Sequence, residues 1–415
     1  MRRYWQPVAL AEELPPGGAP IAVRILSEDL ALFRDERGRP GLLGIHCSHR
    51  GADLSYGRIE DGGLRCLYHG WLYDISGNCL DQPGEPEGST FKDKVRHLAY
   101  PCAESGGIIF TYMGPGEAPL LPAYEFLEVS EEHRYVSKYF QECNYQQGNE
   151  GNIDPQHNRF LHRHSFGRDT STGGLSSHAA APTIEVEETD FGLRLTNWHD
   201  TVEDEGDEKR YLLRVSNFIL PSLAAFPGGI PAGEGHGVNW HVPIDDTHHW
   251  KFVINFNRVR PLDRARFGPD AQREITEGYR LVRNPSNRYN QDREEMRTQS
   301  FIGMGPVFFV HDAFATQGEG AIQDRSAEHL GYTDKAIIAA RHLMLRAIRD
   351  VQEGSDPPNV VRDPAANDYW QLGAAQGIVG PTASWRTLWE SRPTPPRRRP
   401  EKQPPRRAAE TRARS

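Results

Sequence analysis

Cys47-Ser48-His49 and Cys66-Leu67-Tyr68-His69 offer two thiolates and two imidazoles from two short segments. Each segment gives one ligand of each kind, so the cysteines can hold one metal and the histidines another. That is the donor set of a [2Fe–2S] centre in which two histidines replace two cysteines on one iron. Neutral imidazoles remove negative charge from the cluster. Its reduction potential then rises to roughly −150 to +300 mV, against about −400 mV for an all-cysteine ferredoxin. A tetrahedral structural zinc is the competing reading of the same four residues. Zinc fingers, however, usually pair Cys with Cys and His with His. The flanking glycines, Gly51 and Gly70, let backbone N–H groups approach the sulfurs, which tunes a cluster.

A second stretch runs from Asn149 to His162 and contains Asp154, His157 and His162. On a helix Asp154 and His157 share a face. His157 and His162, five apart, would point about 140° away from each other on a regular helix. The backbone must leave the helix between them if both are to reach one ion, and Asp154-Pro155 can itself start a helix with aspartate as cap. Taken alone, H-x4-H also describes a satisfied surface pair. Beside a redox cluster, two imidazoles and a carboxylate suggest the 2-His-1-carboxylate triad of non-haem Fe(II) oxygenases, which leaves coordination positions open for dioxygen.

The elements that must carry these residues fall into two kinds. Up to about residue 130, short apolar runs alternate with turn punctuation. Ile21–Leu26, Leu30–Phe33, Gly41–Ile45, Leu64–Leu67, Leu72–Ile75, Asn78–Leu80 and Ile108–Met113 read as strands of a small all-β module. Its ligands sit at loop tips. Pro115, Gly116, Pro119 and Pro122 mark a linker. Beyond it the pattern is α+β. Strands are expected at Tyr135–Cys143, Thr183–Glu187, Leu193–Trp198, Leu212–Leu220, Val238–Val242 and Phe252–Phe256. A helix capped by Thr333-Asp334 and ended by Gly354 places Ile337, Ile338, Leu345, Ile348 and Val351 mostly on one face. The Pro- and Arg-rich end, with Arg397-Arg398-Arg399 and Arg406-Arg407, has little to bury and reads as a disordered, solvated basic tail.

A length of 415 residues suggests two or three domains. The divisions expected are 1–130, 131–385 and a tail over 386–415. No apolar run is long enough to span a membrane, and no apolar run follows Arg2-Arg3 to make a signal peptide. The net charge of −9 disfavours nucleic-acid binding. Five cysteines make no disulfide framework; Cys79, Cys102 and Cys143 read as buried thiols of a reducing cytosol.

In these motifs the chain resembles the α subunit of a Rieske non-haem iron aromatic ring-hydroxylating oxygenase, most closely the phthalate 4,5-dioxygenase branch. The likeness runs from Met1-Arg2-Arg3-Tyr4-Trp5-Gln6-Pro7-Val8 through both cysteine–histidine loops and the Glu150–His162 segment. It continues through Val242-Pro243-Ile244-Asp245-Asp246-Thr247-His248 and Asp324-Arg325-Ser326-x-Glu328-His329-Leu330-Gly331. The resemblance implies an N-terminal all-β Rieske domain, a C-terminal helix-grip catalytic domain (an antiparallel sheet with helices) with a hydrophobic pocket, and a head-to-tail homotrimer. It assigns Cys47, His49, Cys66 and His69 to the [2Fe–2S] cluster, and His157 and His162 to the Fe(2+). Relatives of the branch carry the carboxylate ligand twelve residues before the Asp of their D-R-x-x-E-x-L-G segment, which leads from Asp324 to Asp312. They show Gln where this chain has His311. Asp324 and Glu319 are the alternative ligands, and Asp324 also suits an ion pair with Arg325 or a helix cap.

Asp154 matches the family's bridging aspartate, which touches an iron histidine of its own subunit and a cluster histidine of the neighbour, here His157 and His69. The implied activity is hydroxylation of an aromatic substrate with O2 and electrons from NAD(P)H. No GxGxxG fingerprint is present, so a separate flavin/iron–sulfur reductase must supply them. Arg214 matches a carboxylate-binding arginine of phthalate-type relatives; an ion pair with an internal Asp or Glu is the other reading. The segment after His162 is shorter than in phthalate dioxygenases, and their second substrate arginine has no clear match in it. A monocarboxylated or methoxylated aromatic therefore fits as well as phthalate. Two readings compete with ring hydroxylation: an O-demethylase of the same family, and a non-enzymatic Rieske electron carrier.

Overall fold

The computed structural model describes residues 1–162, 181–200, 209–267 and 274–389. Eleven strands precede residue 113: β1 (Trp5–Leu10), β2 (Ile21–Ile25), β3 (Glu28–Arg34), β4 (Pro40–Gly44), β5 (Arg58–Glu60), β6 (Gly63–Arg65), β7 (Leu72–Tyr73), β8 (Cys79–Asp81), β9 (Ala99–Tyr100), β10 (Cys102–Ser105) and β11 (Ile108–Tyr112). They form three small antiparallel sheets in the orders β1-β11-β10, β2-β3-β4-β9 and β5-β6-β7-β8. The all-β expectation holds, with β1, β5, β9 and β10 added to the strands legible in the sequence.

The second part is one large antiparallel sheet. Its strands are β12 (Arg134–Gln141), β13 (Thr183–Thr189), β14 (Gly192–Asp200), β15 (Tyr211–Ile219), β16 (Leu223–Phe226), β17 (Gly235–Pro243), β18 (His249–Asn257) and β19 (Ala375–Val379). The order is β12-β18-β17-β16-β15-β14-β13, with β19 also paired to β15. Strict alternation gives this sheet two unlike faces. Val238, Trp240 and Val242 of β17, with Phe252, Ile254 and Phe256 of β18, join one apolar core with Trp5, Leu10 and Phe110 of the first module. The residues between them, Asn239, His241, His249 and Lys251, are also buried. They look the other way, toward the helices.

Those helices are Tyr145–Ile153, Phe308–Gly318 and Lys335–Gln352. The first starts where the Asn144 side chain accepts the Gln146 N–H at 2.9 Å and ends before Asp154-Pro155. It lies close on the sheet because residue 148 is glycine: a Cβ there would meet His241 Nδ1 at 2.5 Å. The Lys335–Gln352 helix corrects an expectation. It buries Ala336, Ala340, Leu343 and Ala347, whereas Leu345, Ile348 and Val351 are exposed. Small side chains let it pack near β13 and β14, so the bulkier residues turn outward. Asp334 holds the N-cap position, yet its carboxylate accepts the Gly331 N–H at 2.6 Å rather than a helical one.

The C-terminal boundary also moves. A disordered tail was expected from residue 386, but Trp385–Trp389 is a helix, and the Arg194 guanidinium sits 4.2 Å above the Trp385 ring. The arginine-rich segments beyond it lie outside the described residues. Cys79 and Cys143 are buried and Cys102 half-buried, all as free thiols. Among the described residues no helix is long and apolar enough to cross a membrane.

Candidate metal centres

The two cysteine–histidine loops close in the same way. Cys47 N donates to Ala52 O and Gly51 N returns to Cys47 O, both at 2.8 Å. Likewise Cys66 N donates to Trp71 O at 2.8 Å and Gly70 N to Cys66 O at 3.1 Å. Both turns need a left-handed residue, and Gly51 (φ 75°) and Gly70 (φ 76°) supply it without Cβ strain. The fold thus presents two matching loop tips. Their cysteines are buried and in mutual contact, with the Tyr73 hydroxyl 3.2 Å from Cys47 Sγ. Burial, and then Cys47 beside it, pushes the Cys66 thiol up, while the backbone N–H groups of Tyr68 and His69 face its sulfur.

The imidazoles sit together on the outer side, with His49 and His69 ring centres 4.4 Å apart. His49 is held flat against Trp71 at 4.5 Å, and its buried Nδ1 has no hydrogen-bond partner. A lone pair left unused on a nitrogen shielded from water is what a metal ligand requires. A single zinc would gather all four donors around one point. Instead the thiols pair and the imidazoles pair, and the four do not converge as one ion's ligands. The residues fit the two-iron cluster and disfavour zinc.

Among the described residues, one set of three or more His, Cys, Asp or Glu side chains brings its ligand atoms within 4.8 Å of one another: His157, His162 and Asp312. The backbone does leave the helix between the histidines. Asp154 (φ −76°, ψ 118°) ends the Tyr145–Ile153 helix, and a short 3-10 turn, His157–Arg159, follows. The Asp154 carboxylate starts that turn, accepting the Gln156 N–H at 2.7 Å and the His157 N–H at 3.3 Å. Its Oδ2 also stands 3.4 Å from His157 Nδ1. Asp312 arrives from the Phe308–Gly318 helix, which the sequence reading did not foresee. Its Oδ1 is 2.8 Å from His162 Nε2, and Phe308 stacks on the His162 ring at 3.6 Å. His311, one residue earlier, reaches His162 Nδ1 at 3.3 Å.

Charge in this pocket is tightly balanced. Burial would raise the Asp312 carboxyl, but Lys251 and His162 hold it far below the usual carboxylate range. Lys251 is itself buried, with Nζ 3.5 Å from Asp312 Oδ2. Burial pushes the His157 imidazole down, yet Asp154 pulls it above its ordinary value, with Arg214 opposing. Arg214 on β15 therefore lies near the triad. Loss of water pushes its pKa down to about 10, and no acid counters that shift. The internal ion pair that was the alternative reading of Arg214 is not formed among the described residues.

Asp324 and Glu319, the alternative ligands, stay outside the triad. Asp324 caps a 3-10 turn through the Ser326 N–H, and Glu319 sits at the end of the Phe308–Gly318 helix. Arg325 pairs not with Asp324 but with Glu150, at 2.9 Å. The sequence reading missed Lys251, His241 and His249. One signal was available: in Gly237–Val242 and His249–Asn257 polar and apolar residues alternate, and a strand apolar on one face must put its histidines and lysine on the other. The segment after His162, where a second substrate arginine would fall, lies outside the described residues.

The Rieske [2Fe-2S] domain family matches residues 4–98, and the family described as LigXa C-terminal domain like matches residues 111–395. The oxygenase subunit of phthalate 4,5-dioxygenase from Pseudomonas putida is 34% identical over 406 residues, covering 93% of this chain and 89% of that one. Phenoxybenzoate dioxygenase subunit alpha from Ectopseudomonas oleovorans is 34% identical over 376 residues, covering 87% and 83%. In fold, the chain is similar to dicamba monooxygenase bound to dicamba, with a TM-score of 0.57 at 18% identity over 85% of this chain and 98% of that one. Both halves match one architecture, and the likeness to oxygenase subunits runs nearly end to end. The chain belongs to the Rieske non-haem iron oxygenases, as an oxygenase α subunit of [2Fe–2S] and Fe(2+) type.

Proposed function

We propose that this chain hydroxylates an aromatic substrate bearing a carboxylate, with electrons supplied by a separate NAD(P)H-dependent flavin/iron–sulfur reductase. Cys47, His49, Cys66 and His69 would hold the cluster, and His157, His162 and Asp312 the Fe(2+). When bound, the cluster supplies electrons singly and the Fe(2+) supplies the centre at which dioxygen is activated.

The observation that carries the substrate class is Arg214. A guanidinium removed from water with no internal counter-ion is costly unless a ligand brings the anion. Arg214 is half-buried, sheds much of its hydration and meets no carboxylate among the described residues, and it stands close enough to the triad to oppose the protonation of His157. Directly across the sheet, Asn197 has a buried side-chain oxygen without a partner. A carboxylate on Arg214 in bidentate geometry would orient the ring beside His157, and Asn197 offers a second polar contact. The Phe308 ring on His162 keeps water from that face of the imidazole.

We further infer a homotrimer in which the loop tip carrying His69 meets Asp154 of the next copy. The tip is suited to contact, since Leu67 and Tyr68 beside His69 are 59% and 58% exposed. Arg214→Ala tests the substrate class. For a carboxylated aromatic, kcat/KM should fall by about 2–4 kcal/mol, roughly 30- to 800-fold, with little change for an uncharged analogue. Equal losses on both substrates would remove the carboxylate argument.

A further inference from the structure

We propose that His311 is a positioning residue that fixes the tautomer of His162 and so leaves the ligating nitrogen free. The inference rests on the reading of His162 as an iron ligand. His311 is 3% exposed and has two neighbours, one at each ring nitrogen. Its Nε2 lies 2.9 Å from Gly305 O, and its Nδ1 lies 3.3 Å from His162 Nδ1. A carbonyl oxygen only accepts, so the proton of a neutral His311 must be on Nε2. Its Nδ1 is then an acceptor, and His162 must donate from Nδ1–H. With its one proton committed there, His162 keeps a bare lone pair at Nε2, 2.8 Å from Asp312 Oδ1. A carboxylate also only accepts, so these two facing lone pairs are compatible at that distance only when a cation is shared between them, as the triad would do. The opposite tautomer would put a proton between His162 and Asp312 and bury the lone pair against His311. A metal could then bind that ring only by displacing the proton, at a cost in affinity.

The ring geometry agrees. The His162 and His311 planes are 21° apart with centres separated by 5.4 Å, as expected for two imidazoles meeting edge to edge through a single N–H···N bond. The anchor is itself fixed: the Gly305 N–H donates to Glu295 at 2.9 Å, and its left-handed backbone (φ 74°) suits glycine. Phe308, His311 and Asp312 belong to one helix. One stretch of helix therefore grips a face and both nitrogens of a single histidine. Partners of this kind, touching a ligand and not the metal, set its orientation and basicity.

The test is the Fe(2+) affinity of the intact protein with its cluster in place, read by competition with a ferrous chelator. His311→Leu removes the acceptor at similar size, and Fe(2+) affinity should fall by about 10- to 100-fold with cluster absorption unchanged. His311→Gln can accept the same Nδ1–H through its amide oxygen and should stay within about threefold of the parent. Wild-type affinity in His311→Leu overturns the proposal. Equal losses in both variants overturn it too, because packing rather than the acceptor would then be responsible. His162→Ala separates this from the underlying reading: if it retains Fe(2+), His162 is not a ligand and that reading fails first.

Discussion

Asp154 answers to two backbone N–H groups and one imidazole at once, and the three demands differ in what they need. The Gln156 N–H needs only an oxygen, whereas the imidazole of His157 responds to charge. Burial would raise the Asp154 carboxyl, but His157 and the two backbone N–H groups hold it below its ordinary value. Asp154→Asn keeps an oxygen for the turn and removes the charge. The expected result is a folded protein with about three irons per chain, two in the cluster and one alone. Coupled turnover should fall by about 100-fold. Iron analysis together with product-linked oxygen uptake checks both halves, and unimpaired turnover would end the bridging role. At this scale the sequence said much, because C-x-H, C-x-x-H and H-x4-H are short-range facts. What it hid is the grouping of residues far apart in number. Lys251 meets Asp312 across 61 positions and His162 meets His311 across 149, and no local spacing encodes either contact.

The helix that delivers Asp154 is held by an ion-pair network that reaches across the whole second half of the chain. Glu150, four residues before Asp154, accepts from Arg325 at 2.9 Å and from Arg341 at 2.7 Å, while Arg341 also bonds Glu328. The Asp324–Gly331 segment thus owes its charges to Glu150 and to the Lys335–Gln352 helix, not to a pairing within itself. Burial would raise the Glu150 carboxyl, but hydrogen bonds from Arg341 and Arg325 hold it below its ordinary 4.5. The unfolded chain therefore takes up this proton more readily than the folded one. The stabilisation is fully present above about 4.5 and is lost as pH falls through the lower folded value. Glu150→Gln should cost about 2–3 kcal/mol, less than the roughly 3–5 for a fully buried pair because both arginines are part-exposed. Its stability should also depend less steeply on pH below 4.5. Denaturant titration at neutral and acid pH reads both; parallel losses at every pH would mean the network is not charge-linked. Of these elements, the long strands were legible from alternation and the Lys335–Gln352 helix from its capping. Its packed face was misjudged, because hydrophobic size was weighed above the close approach that alanine allows. In the Phe308–Gly318 helix the apolar residues fall on several sides around His311, Asp312, Thr316 and Gln317, and an apolar run without helical period does not declare itself a helix.

The large sheet carries iron-ligand candidates on its helix side and the cluster module on its back, so one chain holds both sets of donors on opposite faces of one layer. Trp240 and Phe252 close that back face against Phe110 and Trp5, a contact no sequence pattern announces. The tip bearing His69 is directed into solvent with exposed Leu67 and Tyr68 beside it. An exposed apolar rim on a redox-ligand loop calls for a cover, and in the proposed trimer a neighbouring copy would supply one at every position. A mixing experiment decides whether the working pair of centres lies within a chain or between chains. Cys66→Ser removes a cluster ligand and leaves the triad; Asp312→Ala removes a triad ligand and leaves the cluster. Each homo-oligomer should be inactive, with the iron content of each confirming which centre is lost. Dissociated and reassembled together in equal amounts, they should regain about a quarter of the wild-type rate, the chance that a head-to-tail neighbour pair carries one intact centre of each kind. If the centres cooperate only within a chain, no mixture can contain a complete pair, and activity stays at zero whatever the ratio. Native mass of the mixed species, measured alongside, ties the recovered activity to an assembled ring and not to free chains.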